Sequence, residues 1–258
     1  MIFETHAHYE DEAFDMDREE ILGRLQDGGI EYVVNISSGI DTVDKTIELT
    51  RQYPFIYGAV GIHPGDSMLM EEEKYDWLKE KARQPKIVAI GEIGLDYYWD
   101  TPDRATQKKW FARQIELAKE LNLPLVIHSR DAADDTYQMM KEAGTQKLGA
   151  IIHCFGYGVE QARQYLAMGF YLGIGGVLTF TNGRKLKEVV AFAPIGQLVL
   201  ETDCPYLAPV PYRGRRNTSL YLPYVAREIA KIKNTDYETV VRVTNENARR
   251  LYFKEGKN

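Results

Sequence analysis

The sequence predicts an α/β fold, one (β/α)8 TIM barrel over residues 1–258, with a metal site at the C-terminal ends of its strands. Three observations point there. Eight short runs rich in Val and Ile recur about 28 residues apart, a comfortable length for one βα unit. Several are apolar without alternation, as parallel strands covered on both faces require. Histidines and carboxylates fall where these runs end.

The first run, residues 2–5, leads straight into His6-Ala7-His8. Ile21, Leu22 and Leu25 then mark one face of a helix before the second run at 32–36. A third run covers 56–62, and a fourth, 87–93, contains Ala89-Ile90-Gly91-Glu92-Ile93. Trp110, Phe111, Ile115, Ala118 and Leu121 repeat at helical spacing ahead of the fifth run at 125–127. Runs at 150–152, 170–174 and 198–200 complete the set, and residues 235–252 read as an additional helix closing the barrel. A doubly wound sheet would usually place a Gly-rich dinucleotide loop after its first strand, where this chain has His6-Ala7-His8. No linker, low-complexity tract or change of composition divides the chain, so a single domain is expected.

Composition narrows the classes. Of 258 residues, 44% are hydrophobic and 27% charged, enough for a sizeable core. A net charge of -6 excludes the broad basic surface of a protein that holds nucleic acid mainly through phosphate attraction. It leaves room for a nuclease whose bound metal ions supply positive charge locally. Two cysteines exclude a disulfide scaffold and fit a reduced compartment. No segment approaches the ~20 apolar residues of a membrane helix, and the first residues carry no leader pattern. The expectation is a cytoplasmic protein with no membrane association and no obligate protein partner.

The chemistry lies at the strand ends. His6 and His8 are two apart, so the period of a strand points both to one side. Glu92 ends the fourth strand, His128 the fifth, His153 the sixth and Asp203 the eighth. In a barrel these ends converge on one mouth. Four imidazoles and two carboxylates suit divalent Zn, Mn or Mg. Six ligands exceed one tetrahedral site; two ions sharing one carboxylate would use them all, and Glu92 has the central position for that bridge. There is no P-loop, no Gly-x-Ser-x-Gly elbow and no His-Glu-x-x-His helix.

Six segments resemble the TatD family of metal-dependent deoxyribonucleases, within the amidohydrolase-like barrels. They are Glu4-Thr5-His6-Ala7-His8, Gly61-Ile62-His63-Pro64, Gly91-Glu92-Ile93-Gly94-Leu95-Asp96, Ile127-His128-Ser129-Arg130, His153-Cys154-Phe155 and Glu201-Thr202-Asp203-Cys204-Pro205-Tyr206-Leu207. Residues 211–217 and the closing Glu246-Asn247-Ala248 also fit. The resemblance implies one metal on His6, His8 and Asp203, a second on His128 and His153, and Glu92 bridging. It implies hydrolysis of DNA phosphodiester bonds, commonly from the 3′ end, with single-stranded ends as substrate. Asp203 would take a proton from the attacking water, so Asp203 and Glu92 are the expected catalytic pair. The chain departs from the family in carrying Glu4 for the usual Asp, which affects contacts to a metal ligand. It also has Gly156-Tyr157-Gly158 where Ser-Gly is common, in a loop expected to meet substrate.

Around this set, His63 either donates to a phosphate oxygen or structures a turn. Arg130 either clamps phosphate or pairs with Asp131 or Asp134. Arg213, Arg215 and Arg216 either track phosphates or are simply solvated, with Arg215 taken as the substrate contact. Glu201 either orients a water or ligand or sits in a buried ion pair. Tyr97-Tyr98-Trp99 either stacks bases or packs. Cys154 and Cys204, each adjacent to an expected ligand, should point away from it on a regular strand. Two other classes remain open: an amide, ester or lactone hydrolase on the same barrel, such as an aminoacyl-tRNA deacylase, and a non-enzymatic nucleic-acid-binding module.

Overall fold

A computed structural model of the chain describes residues 1–99 and 101–253; the expected domain, 1–258, runs past them at 254–258. Eight strands occur in chain order: β1 (Ile2–Ala7), β2 (Ile30–Ile36), β3 (Ile56–Val60), β4 (Ile87–Asp96), β5 (Leu125–Arg130), β6 (Ala150–Ile152), β7 (Tyr171–Ile174) and β8 (Leu198–Leu200). They pair in parallel, each with the next, in one sheet ordered β1 to β8. The sheet curls until its edges meet: Ala7 bridges Cys204, and the amide of Asp203 donates to the His6 carbonyl at 3.0 Å. The predicted (β/α)8 barrel is the observed fold.

The helices are α1 (Arg18–Leu25), α2 (Ile40–Gln52), α3 (Glu72–Lys81), α4 (Arg104–Leu121), α5 (Ala133–Glu142), α6 (Val159–Ala167), α7 (Arg184–Phe192), α8 (Leu222–Lys233) and α9 (Tyr237–Tyr252). Their apolar faces cover the strands from outside. Leu22 and Leu25 of α1 and Trp110, Phe111, Ile115 and Ala118 of α4 are buried in that outer core. The inner core follows the strand period, with Phe3, Val34, Ala59, Ala89, Val126, Ile151, Tyr171 and Val199 filling the barrel. The tail helix α9 closes the barrel as expected, placing Ala248, Leu251 and Tyr252 against that inner layer. The Tyr252 hydroxyl donates to the Thr5 carbonyl at 3.1 Å, and Asn247 Nδ2 donates to the carbonyls of Ile195 and Leu198. None of the helices among the described residues is long and apolar enough to cross a membrane.

Strand ends differ from the apolar runs where polar residues continue the ladder. β4 extends to Asp96 and β5 to Arg130, because Leu95 pairs with Ser129 and Asp96 with Arg130. The extension passes through Gly94 at φ 147°, where a Cβ would lie 1.9 Å from the His128 carbonyl oxygen. Only glycine permits that approach.

Candidate metal centre

The C-terminal strand ends open into a cleft of about 700 Å³ lined by His8, His63, Glu92, His128, His153 and Asp203. A hollow of about 740 Å³ beside α1 and α2 is slightly larger but carries no imidazole. The chemistry belongs to the first.

Period two aims His6 and His8 at the same point: their Nε2 atoms are 3.0 Å apart. Asp203 Oδ1 lies 3.6 Å from His6 Nε2, 3.3 Å from His8 Nε2 and 3.5 Å from His153 Nε2. Glu92 Oε2 is 3.5 Å from His6 Nε2, while Oε1 is 2.7 Å from His128 Nδ1 and 3.8 Å from His153 Nε2. Bonds of about 2.0–2.2 Å to a common ion put ligand atoms roughly 3.0–3.6 Å apart, so the donors around Asp203 fit a metal ion. His8 strengthens the case. Its Nδ1 is 2.8 Å from the Ile36 carbonyl, which only accepts, so Nδ1 carries a proton. Burial opposes charge on the ring, but Asp203 and Glu10 raise its pKa well above the ordinary value. A metal ion at Nε2 would displace the second proton.

Both carboxylates are held anionic. Burial works against the charge of Glu92, but His153, His128 and His6 bring its carboxyl well below the usual range. Asp203 is likewise lowered, with His153 and His8 outweighing burial. The rings answer in kind. Burial disfavours the charged form of His128 and His153, yet Asp96 and Glu92 bring the first up to about 9, and Glu201, Glu92 and Asp203 bring the second up to about 9. His6, stacked on His153 with ring centroids 3.4 Å apart, is pushed down to about 4 by burial and by that neighbour. The pocket therefore gathers positive charge around the buried Glu92 and half-buried Asp203, which a divalent cation would supply while displacing protons.

The four histidines and two carboxylates predicted from strand ends do come together. Their grouping adds a detail: His128 lies with His63 and Glu92, whereas His153 lies on the side of His6 and Asp203. The two rings expected to share an ion both approach Glu92 Oε1, His128 at 2.7 Å and His153 at 3.8 Å.

The flanking residues sort themselves by contact. His63 Nδ1 accepts from the Gly65 amide at 3.0 Å, capping a 3-10 turn at Pro64–Leu69, so its proton sits on Nε2. It structures a turn and still lines the cleft. Arg130 pairs with neither Asp131 nor Asp134 among the described ion pairs; its guanidinium lies 3.7 Å from the centroid of the Tyr98 ring, and it too lines the cleft. Glu201 is buried behind His153, with Oε1 3.2 Å from His153 Nδ1 and accepting the Cys154 amide at 2.6 Å. Arg216 is engaged with Asp17 and with the Phe14 ring, and Arg213 lies over Phe180. Arg215 is exposed on the loop after β8 and does not line the cleft.

Cys154 corrects the sequence reading. Its thiol was expected to point away from the ligands, but its φ of 43° breaks strand alternation. Its sulfur instead falls within 4.8 Å of donor atoms of His153 and Asp203. Burial pushes that thiol up, so it stays protonated. Cys204 is buried, on a segment past β8 where Asp203, at φ 58°, has already broken strand alternation.

Glu4 spends Oε1 on the amides of His6, at 3.2 Å, and Thr202, at 2.9 Å, tying β1 to the segment after β8. Neither Glu4 Oε2 nor His6 Nδ1 has a hydrogen-bond partner, so the longer side chain holds backbone and not the ring. Tyr157, in the divergent loop, fixes its hydroxyl 2.9 Å from Ser129 Oγ and accepts the Ala132 amide at 3.2 Å.

Two residues escaped the sequence reading. Asp96 Oδ2 is 3.0 Å from His128 Nε2, and Glu10 Oε1 is 3.4 Å from His8 Nδ1. Asn35 in turn donates to Glu10 Oε2 at 2.7 Å. The only signal in the sequence is proximity: Asp96 follows Glu92 by four residues and Glu10 follows His8 by two, in a turn past the end of β1.

A parallel barrel with clustered His, Glu and Asp donors at its mouth defines the class of metal-dependent hydrolases. Comparison with known proteins narrows it. Residues 3–253 match the family model described as TatD related DNase. The chain is 45% identical to the metal-dependent hydrolase YabD of Bacillus subtilis, over 98% of this chain and 99% of that protein. It is 32% identical to a protein of Cronobacter sakazakii named 3′-5′ ssDNA/RNA exonuclease TatD, with 98% of each chain covered. The crystal structure of YJJV, a TatD homologue from Escherichia coli K12, superposes with a TM-score of 0.92 at 26% identity, covering 98% of both chains. The protein belongs to the TatD family and is a metal-dependent hydrolase.

Proposed function

We propose that the protein hydrolyses DNA phosphodiester bonds, working from the 3′ ends of single strands with two divalent ions, Mg, Mn or Zn. The observation that carries this reading is the convergence of three imidazoles on Asp203 Oδ1 with Glu92 beside them. Family membership and the name of the Cronobacter relative support the substrate. His6, His8 and Asp203 would hold one ion, His128 and His153 the other, and Glu92 both. Divalent ions held there would supply Lewis-acid chemistry for activating water and stabilising a leaving oxygen.

The remaining steps fall to the chain. Asp203 is the more accessible of the two carboxylates, its side chain 19% exposed against 6% for Glu92. Held anionic, it takes the proton of the attacking water. His63, with its proton on Nε2, donates to a phosphate oxygen, and Arg130 pairs with the same group. Arg215 reaches a phosphate further along the strand. Glu201 acts through its neighbours, orienting His153 and the Cys154 backbone.

Glu92→Gln and Asp203→Asn should each lower hydrolysis by on the order of a thousandfold while circular dichroism stays unchanged. The assay is single-stranded DNA labelled at either end, with Mg, Mn or Zn added to metal-depleted protein. Full activity in both variants rejects the mechanism. Hydrolysis of aminoacyl-tRNA or small esters with intact DNA would transfer the site to the carbonyl-directed reading.

A further inference from the structure

We propose that Tyr98, Trp99 and Arg130 form a stacking subsite for the terminal nucleobase of a single strand, on the rim beside the metal centre. The proposal rests on the nuclease reading above. Trp99 is 61% exposed and Tyr98 54%, whereas Trp110 is buried and Trp77 packs partly into the outer core. Two large aromatic side chains thus stand together in water just after β4. Their centroids are 4.8 Å apart and their planes 88° apart, so the two ring faces point in different directions. One face of Tyr98 already carries the Arg130 guanidinium at 3.7 Å.

Neighbouring Tyr97 shows what a packing role looks like. Its hydroxyl donates to Asp135 Oδ2 at 2.7 Å, and Arg104 covers its ring at 4.2 Å. Of three consecutive aromatics, the fold uses the first and leaves two outside. Their position is set by the site. The Tyr98 amide donates to Asp96 Oδ1 at 3.0 Å, and Asp96 Oδ2 lies 3.0 Å from His128 Nε2. Arg130 completes the link, since it stacks on Tyr98 and also lines the metal cleft. A base on the rings would bring its own phosphate toward that cation.

The chemistry selects a nucleobase. Every base offers a polarisable π-face, so stacking on Trp99 or Tyr98 tolerates any sequence and requires the base to be unpaired. A stacked guanidinium keeps its edge free to pair with phosphate. The subsite therefore discriminates strand ends that carry a base from those that lack one.

The test compares kcat/KM on oligothymidine with that on the same oligonucleotide ending in abasic residues. The wild type should favour the base-bearing end by on the order of tenfold. Tyr98→Ala and Trp99→Ala should bring that ratio toward one, and Trp99→Phe should retain most of it. In parallel, a non-hydrolysable phosphorothioate oligothymidine should quench tryptophan fluorescence in the wild type but not in Trp99→Phe. An unchanged ratio in both alanine variants, or quenching that persists in Trp99→Phe, overturns the subsite while leaving the nuclease intact. A wild type that neither binds nor cleaves the oligonucleotides overturns both readings together.

Discussion

At the scale of single residues, the metal donors depend on partners that never reach the cleft floor. Glu10 and Ile36 hold the His8 ring from behind, and Asp96 holds His128. A ring whose far nitrogen is fixed presents its lone pair in one direction, which raises metal affinity. Glu10→Gln and Asp96→Asn should each weaken metal binding by roughly 10- to 100-fold, read by titrating metal-depleted protein calorimetrically. The cluster itself was legible because a strand's period of two is rigid and barrel strands end at one mouth. The convergence of His6, His8, Glu92, His128, His153 and Asp203 needed nothing further. Cys154 was not legible, since a single left-handed residue reverses which side a side chain faces. Arg215 shows another limit: it follows β8 in the chain, but only the fold places it on an exposed loop outside the lining of the cleft.

Among the secondary-structure elements, β4 and α9 do the positioning. β4 carries Glu92 and Asp96 on one face and reaches β5 so closely that Gly94 admits no Cβ. Gly94→Ala should destabilise the protein by several kcal/mol, on the order of 3 or more, in denaturant unfolding, and should displace His128. α9 seals the opposite end of the barrel and is clipped to the start of β2 by Arg249 and Asn245 on Glu31. Burial opposes the charge on Glu31, but those two partners outweigh it and lower its carboxyl. A lowered folded value means this stabilisation is present above the unfolded carboxylate range of about 4.5 and is lost as pH falls through the folded value. Glu31→Gln should therefore narrow the gap between melting temperatures at pH 7 and pH 3. The pair is partly exposed, so its contribution stays below about 1 kcal/mol. The apolar runs located every strand, while the polar ends of β4 and β5 escaped because their pairing is a property of two strands, not of one.

For the whole molecule, placing Glu92 and Asp203 at the mouth leaves negative charge that the metal-free barrel balances with protonated rings. Metal ions that bind only the folded chain should add about 2.7 kcal/mol at a hundredfold excess over Kd. For a chain of this size that corresponds to roughly 5–10 °C, so chelator should lower the melting temperature by that amount and added Mn or Zn should restore it. The net charge of -6 is consistent with a grip centred on metal ions and a few cations, not on a basic face. By itself the sequence determined the barrel, the order of its strands and which imidazoles and carboxylates meet at its mouth. Apolar periodicity and strand parity are local properties, readable a few residues at a time. Only the tertiary structure decided which of these side chains group together, that the Cys154 thiol lies beside them, that Glu10 and Asp96 stand behind the rings, and that Arg130 lies on Tyr98. Those are contacts between strands and loops far apart in the chain, and their distances are set by how the barrel closes.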